Sequence, residues 1–120
     1  MTVAGHRHER IAEEMRHEIS AIVAGELQDP RIAGIVTVTE VRVTADLKHA
    51  RIFVSVKGSD EEQSLTMKGL AAAAGYVRSE VVERLQLRRG PEIHFTLDHS
   101  EEYSARIEEL LKETKKPEGQ

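Results

Sequence analysis

The chain has no cysteine and no tryptophan, only two phenylalanines and two tyrosines, and three prolines among 120 residues. Without cysteine there is no disulfide framework, no thiolate nucleophile and no cysteine-ligated zinc, which suits a reducing compartment. No stretch approaches the roughly 18 apolar residues of a membrane-spanning helix, and the opening MTVAGHRHER lacks the apolar segment of an export signal. A cytoplasmic protein with no membrane partner is expected. A Gly-rich phosphate loop is also missing, and no Gly-x-x-Gly occurs anywhere. The length fits one domain, in which folding buries roughly two-thirds of the unfolded surface, enough for a core without staples.

Seventeen Lys and Arg face twenty-one Asp and Glu, for a net charge of −4, which on average argues against a nucleic-acid partner. The distribution argues otherwise. Residues 1–58 hold eight bases and eight acids, whereas acid gathers in Asp60-Glu61-Glu62 and in the last twenty-one residues, six acids against four bases. Those stretches can face away from a partner.

What the chain does have is a β-branched run from 27 to 57, LQDPRIAGIVTVTEVRVTADLKHARIFVSVK. Pro30 ends the preceding helix, and Ile35 to Thr44 reads as a strand. Val36 and Val38 share a parity that Val41 and Val43 do not, so a bulge is expected near Glu40. Ala45 to Lys48 is the turn, and Ile52, Val54 and Val56 face the core of a second strand. Before this hairpin, Ile11, Met15, Ile19, Ile22, Val23 and Leu27 recur at helical steps over about 8–27. After it, Ser59 caps a helical pattern with acids in its first turn, running to about Leu87 along Leu70, Ala74, Val77, Val81 and Leu85. Gly75 costs such a helix about 1 kcal/mol, and the sequence predicts a kink there that divides it in two. Gly90-Pro91 breaks the pattern, and Ile93, Phe95 and Leu97 form a third strand that joins the hairpin. A short last helix is anchored by Ile107, Leu110 and Leu111, and residues 112–120 read as a flexible polar tail after a domain spanning 1–111. The class is α+β, with helices on one face of a three-stranded sheet and Thr37, Thr39, Phe53, Ser55, His94 and Thr96 on a more open face.

Constellations that would carry catalysis or metal are incomplete. Glu14-x-x-His17 has di-iron spacing but no second pair. His6-x-His8 lies near the terminus, and Asp98-His99-Ser100 places triad residue types side by side, which suits a helix cap and not a hydrogen-bonded line. No metal, cofactor or enzymatic activity is expected.

Longer matches are more specific. Arg7-x-x-Arg10-Ile11-Ala12-Glu13, Asp29-Pro30-Arg31, Val36-Thr37-Val38-Thr39-x-Val41-x-Val43 and Asp46-Leu47-x-x-Ala50-x-Ile52-x-Val54-Ser55 follow in order. Ala73-Ala74-Gly75-Tyr76-Val77-Arg78, Leu85-x-Leu87-Arg88, Pro91-Glu92-Ile93-x-Phe95, Asp98-x-Ser100 and Arg106-Ile107-x-x-Leu110-Leu111 complete the set. Together they resemble the bacterial ribosome-binding factor A family over about residues 7–111. The resemblance implies a single type II KH-like domain, α-β-β-α-(kink)-α-β with a short C-terminal helix, in which an interhelical kink at Ala73-Ala74-Gly75 replaces the usual Gly-x-x-Gly loop. It further implies a non-enzymatic assembly factor, important in the cold, that binds the free 30S subunit near the 5′ end of 16S rRNA, assists late maturation and is released by a GTPase. Family members are often more basic than this chain.

The candidate RNA contacts are Arg7, Arg10, Arg31, Lys48, Arg78, Arg84, Arg88 and Arg89. Each alone is equally well read as a solvated or internally paired base, Arg31 above all because Asp29 is two residues away. With so few aromatics, contact is expected to read phosphate and shape, Phe53 being the one candidate for surface stacking. A monomer is expected. The alternative is a protein-interaction adaptor on the same scaffold with no direct RNA role.

Overall fold

In the computed structural model, which describes residues 7–32 and 34–115, six elements succeed one another: α1 (Arg7–Gly25), β1 (Ile35–Val43), β2 (His49–Lys57), α2 (Asp60–Leu85), β3 (Glu92–Leu97) and α3 (Ser100–Lys115). The strands form one sheet in the order β1-β2-β3, antiparallel between β1 and β2 and parallel between β2 and β3. A parallel neighbour cannot be reached by a tight turn, and α2 is the crossover that returns the chain. The architecture is the expected α+β, and its element order is compatible with a type II KH-like arrangement.

α1 turns Ala12, Met15, Ile19 and Ile22 inward at three- and four-residue steps. It ends at Gly25, short of the end near 27 that the pattern predicted and before Pro30 can act; the turn at Pro30 follows, where the Asp29 carboxylate accepts the Arg31 amide at 2.9 Å and the Ile32 amide donates to the Asp29 carbonyl at 2.9 Å. β1 then carries the expected bulge. Val38 pairs with Val54 and Glu40 with Phe53, so Thr39 is the extra residue. That single insertion lets Val38 upstream and Val41 and Val43 downstream all enter the core despite their different parity. On β2, Ala50, Ile52 and Val54 are fully buried and Val56 nearly so, making the central strand the floor of the core.

α2 opens on a complete capping box, with the Glu62 amide donating to Ser59 Oγ at 3.1 Å and the Ser59 amide donating to Glu62 Oε1 at 2.8 Å. That second bond holds the Glu62 carboxyl below its ordinary pKa. Leu70, Val77 and Val81 are fully buried, with Ala74 and Leu85 packed at the margin. The predicted division into two helices is not found: α2 runs as one helix from Asp60 to Leu85, through Ala73-Ala74-Gly75. Gly75 is exposed with open space where a Cβ would stand, so no close approach requires it. The glycine that packing does require is Gly69, where a Cβ would lie 2.6 Å from Ile32 Cγ1.

α1 and α2 pack on one face of the sheet; on the other, the first turns of α3 stand beside Phe53 and Ser55 and the remainder is open. α3 departs from expectation. Its start is fixed by Asp98, which accepts the Ser100 amide at 2.8 Å and the Thr39 hydroxyl at 2.6 Å, and these bonds from Ser100 and Thr39 lower its pKa to about 2. Asp98-His99-Ser100 is thus a cap, with the aspartate as acceptor. Beyond that point the helix makes only marginal contact with other elements, and Ile107, Leu110 and Leu111, expected to anchor it, are 38%, 52% and 55% exposed. An amphipathic period shows that a helix has an apolar side, and here most of that side stays exposed. The helix also extends past Leu111 to Lys115; residues 116–120, like His6, lie outside the described residues.

Candidate nucleic-acid interface

The N-terminus of α1, the β1–β2 turn and the exit of α2 converge at one end of the molecule. The turn is built by Asp46, whose carboxylate accepts the Thr44 hydroxyl at 2.6 Å and the Lys48 amide at 3.0 Å, while Leu47 adopts φ 61°. Its carboxyl is held below the usual range, first by Thr44 and then by the Lys48 amide. The Glu92 amide donates to the Lys48 carbonyl at 2.8 Å, so the start of β3 is tied to the same turn. At the exit of α2, Gln86 takes a left-handed conformation, φ 53°, and turns the chain out of the helix. Arg78 then bonds across the exit, its Nε donating to the Gly90 carbonyl at 2.9 Å. Position 90 has no room for a side chain, since a Cβ would lie 2.6 Å from Val82 Cγ2.

These constraints bring Arg7, Lys48, Arg78, Arg88 and Arg89 around a single open cavity of about 490 Å³, over an apolar floor of Ile11 and Leu87. Asp46 and Glu92 are the carboxylates on its rim, and His49 completes it. All five cations are exposed, and among the described residues none forms an ion pair. Five of the eight predicted contacts are therefore neighbours in space although they span 83 positions of sequence, from 7 to 89.

The other three stand apart. Arg31 is clamped on Asp29, with its Nε at 3.0 Å and Nη2 at 2.6 Å from the carboxylate, which draws the Asp29 pKa down to about 2. Arg84 is an internal tie between α1 and α2: its Nη2 donates to Glu26 at 2.6 Å and to Glu80 at 3.1 Å, and Glu18 lies 3.6 Å from Nη1. Its hold on its proton is strengthened, chiefly by Glu26. The same Glu26 accepts the Tyr76 hydroxyl at 3.0 Å. Arg10 is exposed on α1 and lines no part of the cavity. Sequence reasoning missed His49 and the two carboxylates; the strand parity that set Ile52 inward was enough to place His49 on the open face of the sheet, but not to bring it to the exit of α2.

The arrangement is chemically suited to anions. Several long, fully charged side chains without ion-pair partners, presented over an apolar floor, match the spacing tolerance of a phosphate backbone better than a single rigid ligand. Among the described residues there is no group of three or more His, Asp or Glu side chains placed to hold a metal, and no helix is long and apolar enough to cross a membrane.

The family model for ribosome-binding factor A matches residues 7–111, which includes all five cations. The chain belongs to the ribosome-binding factor A family. A ribosome-binding factor A of Caldanaerobacter subterraneus subsp. tengcongensis is 48% identical over 114 residues, covering 95% of this chain and 93% of the relative. That of Acetivibrio thermocellus is 51% identical over 108 residues, covering 90% and 88%. The crystal structure of ribosome-binding factor A from Thermus thermophilus shares the fold, with a TM-score of 0.67 at 19% identity over 78% of this chain and 97% of that one. A Thermus thermophilus ribosome-binding factor A fitted into a map of its complex with the 30S subunit has a TM-score of 0.56 at 23% identity over 80% and 96%.

Proposed function

We propose that this chain binds the free 30S ribosomal subunit as a monomer in the cytoplasm, places its basic cavity on 16S rRNA, and assists late maturation near the 5′ end without catalysing a reaction. The observation that carries this reading is the convergence of Arg7, Lys48, Arg78, Arg88 and Arg89 in a member of the ribosome-binding factor A family. Such a factor works by binding one state of the subunit more tightly than another, so its occupancy shifts the subunit toward that state, and a GTPase that changes the subunit would release it. Co-sedimentation of the purified protein with isolated small subunits, large subunits and whole ribosomes tests it. Binding should be confined to free small subunits, and if all five cations meet phosphates the logarithm of the affinity should fall with that of salt at a slope of roughly −4. Equal binding to all three particles would reduce the cavity to nonspecific attraction.

The adaptor reading has one observation in its favour, the uncovered apolar side of α3 with Tyr103 67% exposed. Its signature in the same titration is binding that salt does not weaken.

A further inference from the structure

The sheet face opposite α1 and α2 carries a second group of basic side chains. Arg42 on β1 lies directly across from Arg51 on β2, and Arg51 directly across from His94 on β3, so one row of the sheet is basic on all three strands. Like charges set opposite one another in a sheet are unfavourable. Arg42 is relieved by Glu40, 2.7 Å from its Nε, but Arg51 has no ion-pair partner among the described residues. In the next row Phe53 stands half-buried, with the Arg42 guanidinium 5.6 Å from its ring centroid. The His49 and His94 rings stack with centroids 5.5 Å apart and planes at 29°. These side chains surround an open cavity of about 660 Å³.

A guanidinium covering Phe53 accounts for Arg42, and His94 is engaged by His49, whose Nδ1 lies 3.3 Å from its Nε2, which leaves Arg51 unexplained. An acidic protein segment would satisfy the arginines but would need an aromatic side chain at a matching position to cover Phe53. Single-stranded RNA supplies both, since its phosphate meets a cation while its unstacked base lies on an aromatic or guanidinium plane. A duplex offers phosphates but hides the base faces. We infer that this open face binds an unpaired ribonucleotide of the RNA, its phosphate on Arg51 and His94 and its base against Phe53 and Arg42. His49 borders both this cavity and the five-cation cavity, so one RNA strand can pass from the first site to the second. The inference rests on the proposed RNA-binding function and adds to it a site with a preference for single strands.

The experiment compares affinity for isolated small subunits, across a salt series, of the full chain and three variants. Arg51→Gln with His94→Gln should weaken binding about tenfold and flatten the salt slope by about one. Phe53→Leu, which keeps the apolar cover, should weaken it about tenfold with the slope unchanged. Arg88→Gln with Arg89→Gln serves as the reference for the first cavity. If that reference weakens binding while both face variants bind like the parent, the face is overturned and the assembly-factor reading stands; if the parent chain does not bind small subunits, both fall. An equal effect of the face variants on binding to small-subunit proteins freed of RNA would assign the face to a protein and overturn the inference. Should a variant unfold, the unaltered chain is titrated with an oligouridylate of about ten nucleotides and followed by NMR. Shifts of the Phe53 and His94 ring signals are expected, and shifts confined to Arg88 and Arg89 would overturn the site.

Discussion

Arg84 and Arg88 are four residues apart at the end of α2, and the fold gives them opposite fates. Arg84 points toward α1, where Glu18, Glu26 and Glu80 surround it, whereas Arg88 lies past the helix end on the rim of the basic cavity. Replacing Arg84 leaves three carboxylates facing one another across the α1–α2 contact, which is the unfavourable way to break an ion pair. Arg84→Met should therefore lower the thermal midpoint measured by circular dichroism while leaving the affinity for small subunits unchanged. A loss of affinity without a loss of stability would return Arg84 to the RNA surface. Half of this was visible in the sequence: Glu80 is one helical turn from Arg84 and Asp29 is two residues from Arg31. The decisive partner, Glu26, is 58 residues away, and no local pattern reports it.

Among the elements, α2 shows where composition misleads. Glycine in a helix suggested a kink at Gly75 dividing it in two, yet the position is open and the chain there is a single helix, while Gly69, unremarked in the sequence, is the one pressed against Ile32. The pair gives a prediction of opposite signs. Gly75→Ala should stabilise the protein by about 0.5–1 kcal/mol, through helix propensity and a less flexible unfolded chain. Gly69→Ala should destabilise it by roughly 1–3 kcal/mol, the range for an overfilled contact, unless Ile32 can retreat. Urea denaturation read by circular dichroism checks both, and a destabilising Gly75→Ala would restore a special backbone role to Ala73-Ala74-Gly75. Strand positions were more legible than helix contacts, because alternation fixes which side of a sheet a residue faces. That rule supplied the core of β2 and exposed the need for a bulge, which falls at Thr39, one residue from Glu40 where it was expected. Periodicity alone could not say how little α3 leans on the rest of the molecule.

At the scale of the whole molecule, a chain of net charge −4 still gathers basic side chains on two surfaces, while about half of its acids lie on the α1–α2 contact, the first turn of α2 and α3. The basic cavity was legible only as a set of residue types; its geometry draws on α1, a turn and the far end of α2, and no spacing in sequence announces that meeting. The core ends with β3, and α3 adds little to it. A chain ending after His99 should melt within a few degrees of the full protein, a shift corresponding to less than about 1 kcal/mol for a domain of this size. A large fall in calorimetry would show that α3 belongs to the cooperative unit. Thr39 finally links interior and exterior in a way that neither surface reveals alone. β1 counts nine residues and its second half is offset by one from its first, so the residue that admits Val41 and Val43 to the core is also what sends Arg42 outward. The strand behaves like a message with a reading frame: exchanging Thr39 alters one letter, but losing it would turn every later position inside out.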